Sequence, residues 1–215
     1  MYTALIVAAG KSERMGGGQN KNLLLLKGKP LICHSVDCFL EDSDCQEIIV
    51  VCPEHEMNRF REVLPENITC IPGGNTRQAS VLCGLESVSH AHVFIHDGAR
   101  PCFHELMDRL KSAIITHEAV VPAICFSDTI ARVEQDVITA DDDRESVRKI
   151  QTPQVFVTDL IRQAHLQAQN KNTHYTDDQT LYRHEMHREV HVVDGSEANI
   201  KATTHIDMMI LEALL

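Results

Sequence analysis

The sequence predicts an α/β fold, a mostly parallel sheet with helices on both faces. Three observations carry this. Short apolar runs of strand length alternate with amphipathic stretches of helix length. No repeat, low-complexity tract or linker divides the chain. And 215 residues, 43% of them hydrophobic and 24% charged, suit one globular domain with a substantial core. Tryptophan is absent and aromatic residues are sparse, so that core is expected to be aliphatic.

Taken in order, the expected strands are Thr3–Ala8, Glu47–Cys52, Ile68–Ile71, His92–His96, Ala119–Ala123 and Val190–Val193. Between them the helical pattern covers Leu31–Leu40, Thr76–Val88 and Phe103–Thr116. From His205 to Leu215, Ile206, Met209, Ile210, Ala213 and Leu214 share one helical face, which predicts a closing helix packed on the sheet. Thr129–Thr139 breaks the alternation. It reads as two short strands around a polar turn at Glu134–Asp136, either a surface flap or an arm reaching another subunit. The chain is therefore expected to be a single domain over residues 1–215 with this hairpin as an inserted β-arm at about 127–150.

Bulk properties exclude several classes. A formal charge of -11 is the wrong sign for coating DNA or RNA, which needs a basic face. No apolar stretch approaches the roughly 20 residues of a membrane helix, and the N-terminus reads as a buried strand rather than a signal peptide. The eight cysteines form no C-x-x-C pair, and Cys52 and Cys125 each follow an apolar run. Buried free thiols in a reducing cytoplasm are the expectation. None of the thirteen histidines forms H-E-x-x-H, no serine sits in G-x-S-x-G, and no protein-held metal is expected.

Five segments carry the candidate chemistry. Leu5-Ile-Val-Ala-Ala-Gly-Lys-Ser-Glu-Arg-Met-Gly16 runs from a buried strand into a loop of small residues, Ala8, Ala9 and Gly10. Small side chains let backbone N–H groups approach phosphate oxygens, and the loop's Lys11 and Arg14, with Lys21 following, offset the charge. A bare A-A-G would fit an ordinary strand-to-helix turn equally well. Gly73-Gly-Asn-Thr-Arg-Gln-Ala-Ser80 offers two glycines permitting positive φ, a backbone able to read a base edge, and the Ser80 hydroxyl at a helix start. A capped helix start is the other reading. His96-Asp-Gly-Ala-Arg-Pro101 ends an apolar strand, where open α/β sheets bind ligands. Asp97 can accept from hydroxyls or hold a metal, and Arg100 can pair with phosphate, or the two can simply brace a turn. In Gln151-Thr-Pro-Gln154, Pro153 holds Thr152 extended. In Asn199-Ile-Lys-Ala-Thr203, Lys201 is expected in a short apolar strand over Ile200–Ala202. A phosphate partner or snorkelling to solvent would spare its ammonium burial.

In this order the motifs A-A-G…R-M, K, G-G-x-x-R-x-x-S-V, H-D-x-A-R-P, T-P-Q, T-D-[DE] and N-I-K-x-T resemble those of the 2-C-methyl-D-erythritol 4-phosphate cytidylyltransferases. The resemblance runs from Ala4 to about Asp207. It implies a Rossmann-like fold, a homodimer joined through an exchanged β-arm, a place in isoprenoid-precursor synthesis, and Mg²⁺ bound mainly through the CTP phosphates. It assigns Arg14 and Lys21 to transition-state stabilisation and Ala8, Ala9, Gly10, Gly74, Asn75 and Ser80 to CTP. Asp97, Arg100, Thr152, Thr176 and Lys201 would bind the methylerythritol phosphate, with Lys201 also near the triphosphate. Thr129 and an arginine before T-P-Q would reach the partner's site. Arg144 fits by its spacing to Thr152, with Arg148 as the competitor. Val7 stands where proline is common, Ser12 where glycine is frequent, and Asn20-Lys21-Asn22 in place of P-K-Q. A ribitol 5-phosphate cytidylyltransferase and a non-catalytic nucleotide-binding paralogue are the alternative readings.

Overall fold

The first strand, β1 (Tyr2–Val7), is buried on both faces, and its residues divide by parity. Tyr2, Ala4 and Ile6 belong to one apolar layer and Leu5 to the other. The structure is a computed structural model and describes residues 1–10 and 20–215. After a small β2 (Leu25–Leu26) and β3 (Lys29–Pro30) hairpin come α1 (Leu31–Leu40), β4 (Cys45–Cys52), α2 (Met57–Val63), β5 (Thr69–Pro72) and α3 (Arg77–Leu85). Then follow β6 (His92–Asp97), α4 (Met107–Ile114), β7 (Ala119–Cys125), β8 (Ile130–Glu134), β9 (Val137–Asp142), β10 (Arg148–Ile150) and β11 (Gln154–Val157). The chain closes with α5 (Thr158–Asn170), α6 (Asp178–Met186), β12 (His191–Asp194) and α7 (His205–Leu214).

The sheet order is β10-β7-β11-β6-β1-β4-β5, with β12 added along β7. Strands β6, β1, β4 and β5 are mutually parallel. Strand β11 lies antiparallel between β6 and β7, so the sheet is mixed at that end. One face packs under α1, α2 and α4 through Ile32, Val36, Phe39, Phe60 and Leu110, and the other under α3, α5 and α6 through Val81, Leu85, Ile161 and Tyr182. Helix α3 crosses close to β1 because Gly84 has no Cβ; one built there would lie 2.3 Å from Leu5 Cδ1. From β1 the chain moves toward β4, and from β6 it moves the opposite way toward β7. A crevice therefore opens beyond the carboxyl ends of β1 and β6.

Several expectations need correction. The predicted face of the closing helix is exposed, with Ile206 68% and Met209 70% accessible. Leu211 is the buried anchor, and it packs with Leu26, Leu31 and Ala202 rather than on the central sheet. Amphipathic spacing located the helix but not the face, because most of its residues are apolar. Lys201 lies in no strand: Ala202 N–H donates to the Ala99 carbonyl (2.8 Å), and one such bond makes no ladder. All eight cysteines are free, but only Cys33 and Cys52 are fully buried and Cys125, at the end of β7, is exposed. The hairpin forms as predicted. Its strands β8 and β9 pair only with each other, turning at Gln135 and Asp136, both at positive φ.

At the end of β6, His96 is completely buried beside Phe103 and Phe39, with ring centroids 4.0 and 5.6 Å away. Its Nε2 lies 2.9 Å from the Arg100 carbonyl, which can only accept, so Nε2 carries the proton. Nδ1 then accepts from the Thr152 hydroxyl at 3.0 Å. Burial pushes this imidazole down to about 3. The unfolded chain therefore binds a proton that the folded chain refuses, and stability is lost as pH falls below the ordinary histidine value. Urea unfolding between pH 6.5 and 4 should cost the wild type up to about 1.4 kcal/mol per pH unit more than a His96→Asn variant. Parallel pH dependences in the two proteins would show that His96 is not the acid-sensitive group.

Candidate active site

The crevice is a cleft of about 970 Å³, lined by Ala9 and Gly10 after β1, Pro53–Glu56 after β4, Gly73–Arg77 after β5, Asp97 at the end of β6, and Lys21 and Lys201. Asp97 lies at its floor and gathers the cations. Lys201 Nζ donates to Asp97 Oδ2 at 2.7 Å and Arg77 Nε to Oδ1 at 3.3 Å, while Arg100 Nε stands 3.8 Å from Oδ2. Burial by itself would raise the Asp97 carboxyl, but Arg77, Lys201 and Arg100 hold it well below the usual carboxylate range. It stays ionised.

The motifs that are far apart in sequence position these groups for one another. Gln151 donates to the Ser196 carbonyl (2.7 Å) and accepts from its N–H (3.1 Å), and Asn199 Nδ2 donates to the Thr152 carbonyl (2.8 Å). Arg100 Nη1 donates to the Asn199 carbonyl at 2.7 Å. Together these lay the 199–202 segment across T-P-Q and aim Lys201 at Asp97. Lys21 Nζ then donates to the Ala202 carbonyl at 2.7 Å, which brings the first and last motifs together.

The glycine loop is built for proximity. Neither Gly73 nor Gly74 has positive φ, contrary to the expectation. A Cβ on Gly73 would sit 2.6 Å from Ala9 Cβ, so that glycine brings its loop against the A-A-G loop, while one on Gly74 would sit 2.5 Å from Ala79 Cβ, so that glycine lets the loop fold onto the first turn of α3. Thr76 caps α3 by accepting from Ala79 N–H. Ser80 lies one turn into the helix, where its hydroxyl accepts from Gly74 N–H at 3.1 Å and fixes that peptide.

Of the predicted residues, Ala9, Gly10, Lys21, Gly74, Asn75, Ser80, Asp97 and Lys201 meet at the cleft. Ala8 is buried just behind it. Arg14 lies outside the described residues. Thr152 is buried and its hydroxyl is engaged at both ends, donating to His96 and accepting from Asp97 N–H at 3.1 Å. It positions Asp97 in this structure. Thr176 is exposed beside the α6 cap, and Arg100 lies behind Asp97 with a buried Nε that lacks a hydrogen-bond partner. Thr129 and Arg144 are exposed at the base of the hairpin, as is Arg148, and none of the three lines the cleft of its own chain.

Sequence reasoning missed Arg77, which joins Asp97 to Asp178 (2.6 Å), itself buried against His165 (3.2 Å). The arginine stands inside the G-G-x-x-R motif and the aspartate inside T-D-D, so the residues were visible but their pairing was not. Glu54, His55 and Glu56, an acidic wall of the cleft, gave no signal at all.

With this geometry in view, comparison with known proteins identifies the group. The family model for 2-C-methyl-D-erythritol 4-phosphate cytidylyltransferase (IspD) matches residues 2–215. The enzyme of that name from Bacillus velezensis is 38% identical over 221 residues, covering 100% of this chain and 95% of the relative. That from Prochlorococcus marinus is 39% identical over 219 residues, covering 98% and 96%. Among solved structures, the 2-C-methyl-D-erythritol 4-phosphate cytidylyltransferase of Thermus thermophilus superposes with a TM-score of 0.85 at 32% identity, over 99% of this chain and 98% of that one. The Rossmann-like cleft, its converging motifs and these full-length similarities together establish that the chain belongs to the 2-C-methyl-D-erythritol 4-phosphate cytidylyltransferase family, a family of CTP-dependent nucleotidyltransferases.

Proposed function

We propose that this chain moves CMP from CTP onto 2-C-methyl-D-erythritol 4-phosphate, releasing pyrophosphate, as a step in isoprenoid-precursor synthesis. The observation that carries this reading is the meeting of Lys21, Lys201 and Asp97 beside the A-A-G and G-G-N loops. The nucleophile is a phosphate monoester, whose second pKa lies near ~6, so it is ionised at neutral pH and needs no general base. The one histidine beside Asp97 could not serve as one, because both nitrogens of His96 are already engaged. What remains is repulsion between two polyanions, and fixed cations with oriented N–H donors oppose it.

In this reading the acceptor phosphate oxygen attacks the α-phosphorus in line, and the bond to the pyrophosphate breaks as charge moves outward. Lys21 stabilises that charge together with Arg14, whose role rests on the family resemblance. Lys201, anchored by Asp97, sits between triphosphate and acceptor, and Arg100, which stands behind Asp97, takes its acceptor role from the family resemblance. Ala8, Ala9, Gly10, Gly74, Asn75 and Ser80 form the nucleotide site. Among the described residues no cluster of three or more His, Cys, Asp or Glu side chains could hold a metal ion. Both oxygens of Asp97 are already paired with cations. Mg²⁺ therefore fits here as a guest of the CTP phosphates, which it would help to neutralise.

The arm supports a homodimer. Its strands pair with no strand of the central sheet and leave Val133, Val137 and Ile138 exposed at 59%, 63% and 67%. Thr129 and Arg144 at its base would complete the partner's acceptor site. Free thiols and the absence, among the described residues, of a helix able to cross a membrane suit the cytoplasm.

Pyrophosphate release measured with CTP, UTP, ATP and GTP against several polyol phosphates should be greatest with CTP and methylerythritol phosphate. Equal turnover of ATP and CTP, or a preference for ribitol 5-phosphate, would overturn the assignment. Lys21→Ala should lower kcat by about a hundred- to a thousand-fold with little change in the KM for CTP, the loss expected for a charge contact made chiefly in the transition state. A wild-type kcat with weakened CTP binding would make the lysine an anchor instead. Arg144→Ala should raise the acceptor KM, and mixing Lys21→Ala with Arg144→Ala chains should restore activity, since one shared site then carries both residues. Verified heterodimers without recovery would rule out composite sites.

A further inference from the structure

Lys21 is bracketed by two buried asparagines, only 6% and 3% exposed, where the resemblance leads one to expect proline and glutamine. Both amides converge on one atom. Asn20 Nδ2 donates to the Ala8 carbonyl at 3.2 Å and Asn22 Nδ2 to the same oxygen at 3.3 Å. Asn22 also donates to Asn20 Oδ1 twice, from its backbone N–H at 3.1 Å and from Nδ2 at 3.0 Å. Asn20 Nδ2 continues to Glu56 Oε2 at 2.8 Å on the cleft wall. Ala8 is itself pinned, its N–H donating to the Val51 carbonyl at 2.8 Å.

The orientation of the Asn22 amide follows from this. Its nitrogen faces two acceptors, and turning it over would place three oxygens together. The consequence is an amide oxygen that is buried and has no hydrogen-bond partner. An apolar residue would fill the same space without orphaning an acceptor, so packing alone does not account for asparagine here. What the amide accomplishes is to fasten the Lys21–Leu23 turn to the end of β1. The ammonium is held at the other end by the Ala202 carbonyl at 2.7 Å.

We propose that Asn20 and Asn22 are positioning residues for Lys21, locking its backbone to the Ala8 carbonyl so that the ammonium keeps a fixed reach from the A-A-G loop. The proposal rests on the reading of Lys21 as the transition-state cation. Their side-chain hydrogen bonds run to the Ala8 carbonyl, to each other and to Glu56. They act by removing the freedom that would let the ammonium drift, and small misplacements of a catalytic charge are expensive in rate.

The test is a double-mutant comparison. Asn22→Ala and Asn20→Ala are each made in the wild-type chain and in the Lys21→Ala chain, and kcat, the KM for CTP and thermal midpoints are measured. With Lys21 present, each change should lower kcat about tenfold or more while moving the KM for CTP less than about threefold. In the Lys21→Ala chain the same change should leave the residual kcat within about twofold, because residues acting as one unit are not additive. Equal losses in both backgrounds, or a loss confined to KM, would overturn the proposal and assign the amides to the fold or the nucleotide site. Should Asn22→Ala fail to fold, Asn20→Ala carries the same comparison. Failure of the underlying reading is visible separately, as a wild-type kcat in Lys21→Ala before any asparagine is changed.

Discussion

The carboxylate of Asp97, buried at the end of β6 among three cations, is the interaction on which the rest of the site depends. An isolated carboxylate there would be forced to protonate, and the guanidinium of Arg77 and the ammonium of Lys201 prevent this. The dependence is mutual. Removing the buried carboxylate would leave the cations with charges they can no longer share, and removing a cation would weaken the field that keeps the carboxylate ionised. Through Arg77 the arrangement reaches Asp178 at the start of α6 and His165 in α5, and through Lys201 it reaches the chain's last motif. The same pairs that keep Asp97 ionised therefore hold β6, α3, α6 and the segment before α7 in one register.

Around this centre neutral groups add rigidity to the charged cluster. His96 and Thr152 pass one hydrogen bond to the next without carrying charge, and Ser35 donates to the Gly98 carbonyl beneath the same turn at 2.9 Å. The segments that would face the nucleotide are packed closely by missing side chains, with Gly73 against Ala9 of the first loop and Gly74 against Ala79 in the first turn of α3. A backbone held this closely has few conformations left, so its N–H groups are oriented before any ligand arrives. The asparagines around Lys21 extend the same logic to the lysine's own backbone.

Among the described residues, apolar surface stays uncovered on elements that stand off the central sheet. The hairpin exposes Val133, Val137 and Ile138, and α7 exposes Ile206, Met209 and Leu214. Both follow from topology rather than from composition. Strand β8 leaves the sheet after β7, so its side chains have no helix layer to meet, and α7 touches the body chiefly through Leu211 and the β2–β3 hairpin.

The amino-acid sequence by itself determined the layer architecture, the strands around the cleft, the hairpin and the motif residues at the strand ends, because these are local properties. A buried parallel strand needs a short apolar run, and a loop that admits phosphate needs small residues near cations. It did not determine strand β11 lying antiparallel between β6 and β7, nor which face of α7 is buried, since both depend on what lies opposite. Nor did it disclose that Thr152 is committed to His96 and Asp97, that Arg77 binds Asp97 and Asp178, or that two asparagines meet on one carbonyl. Those pairings join residues between 12 and 101 positions apart. Hydrogen bonds and ion pairs are specified by distance in space, and only the completed tertiary structure brings such residues within reach.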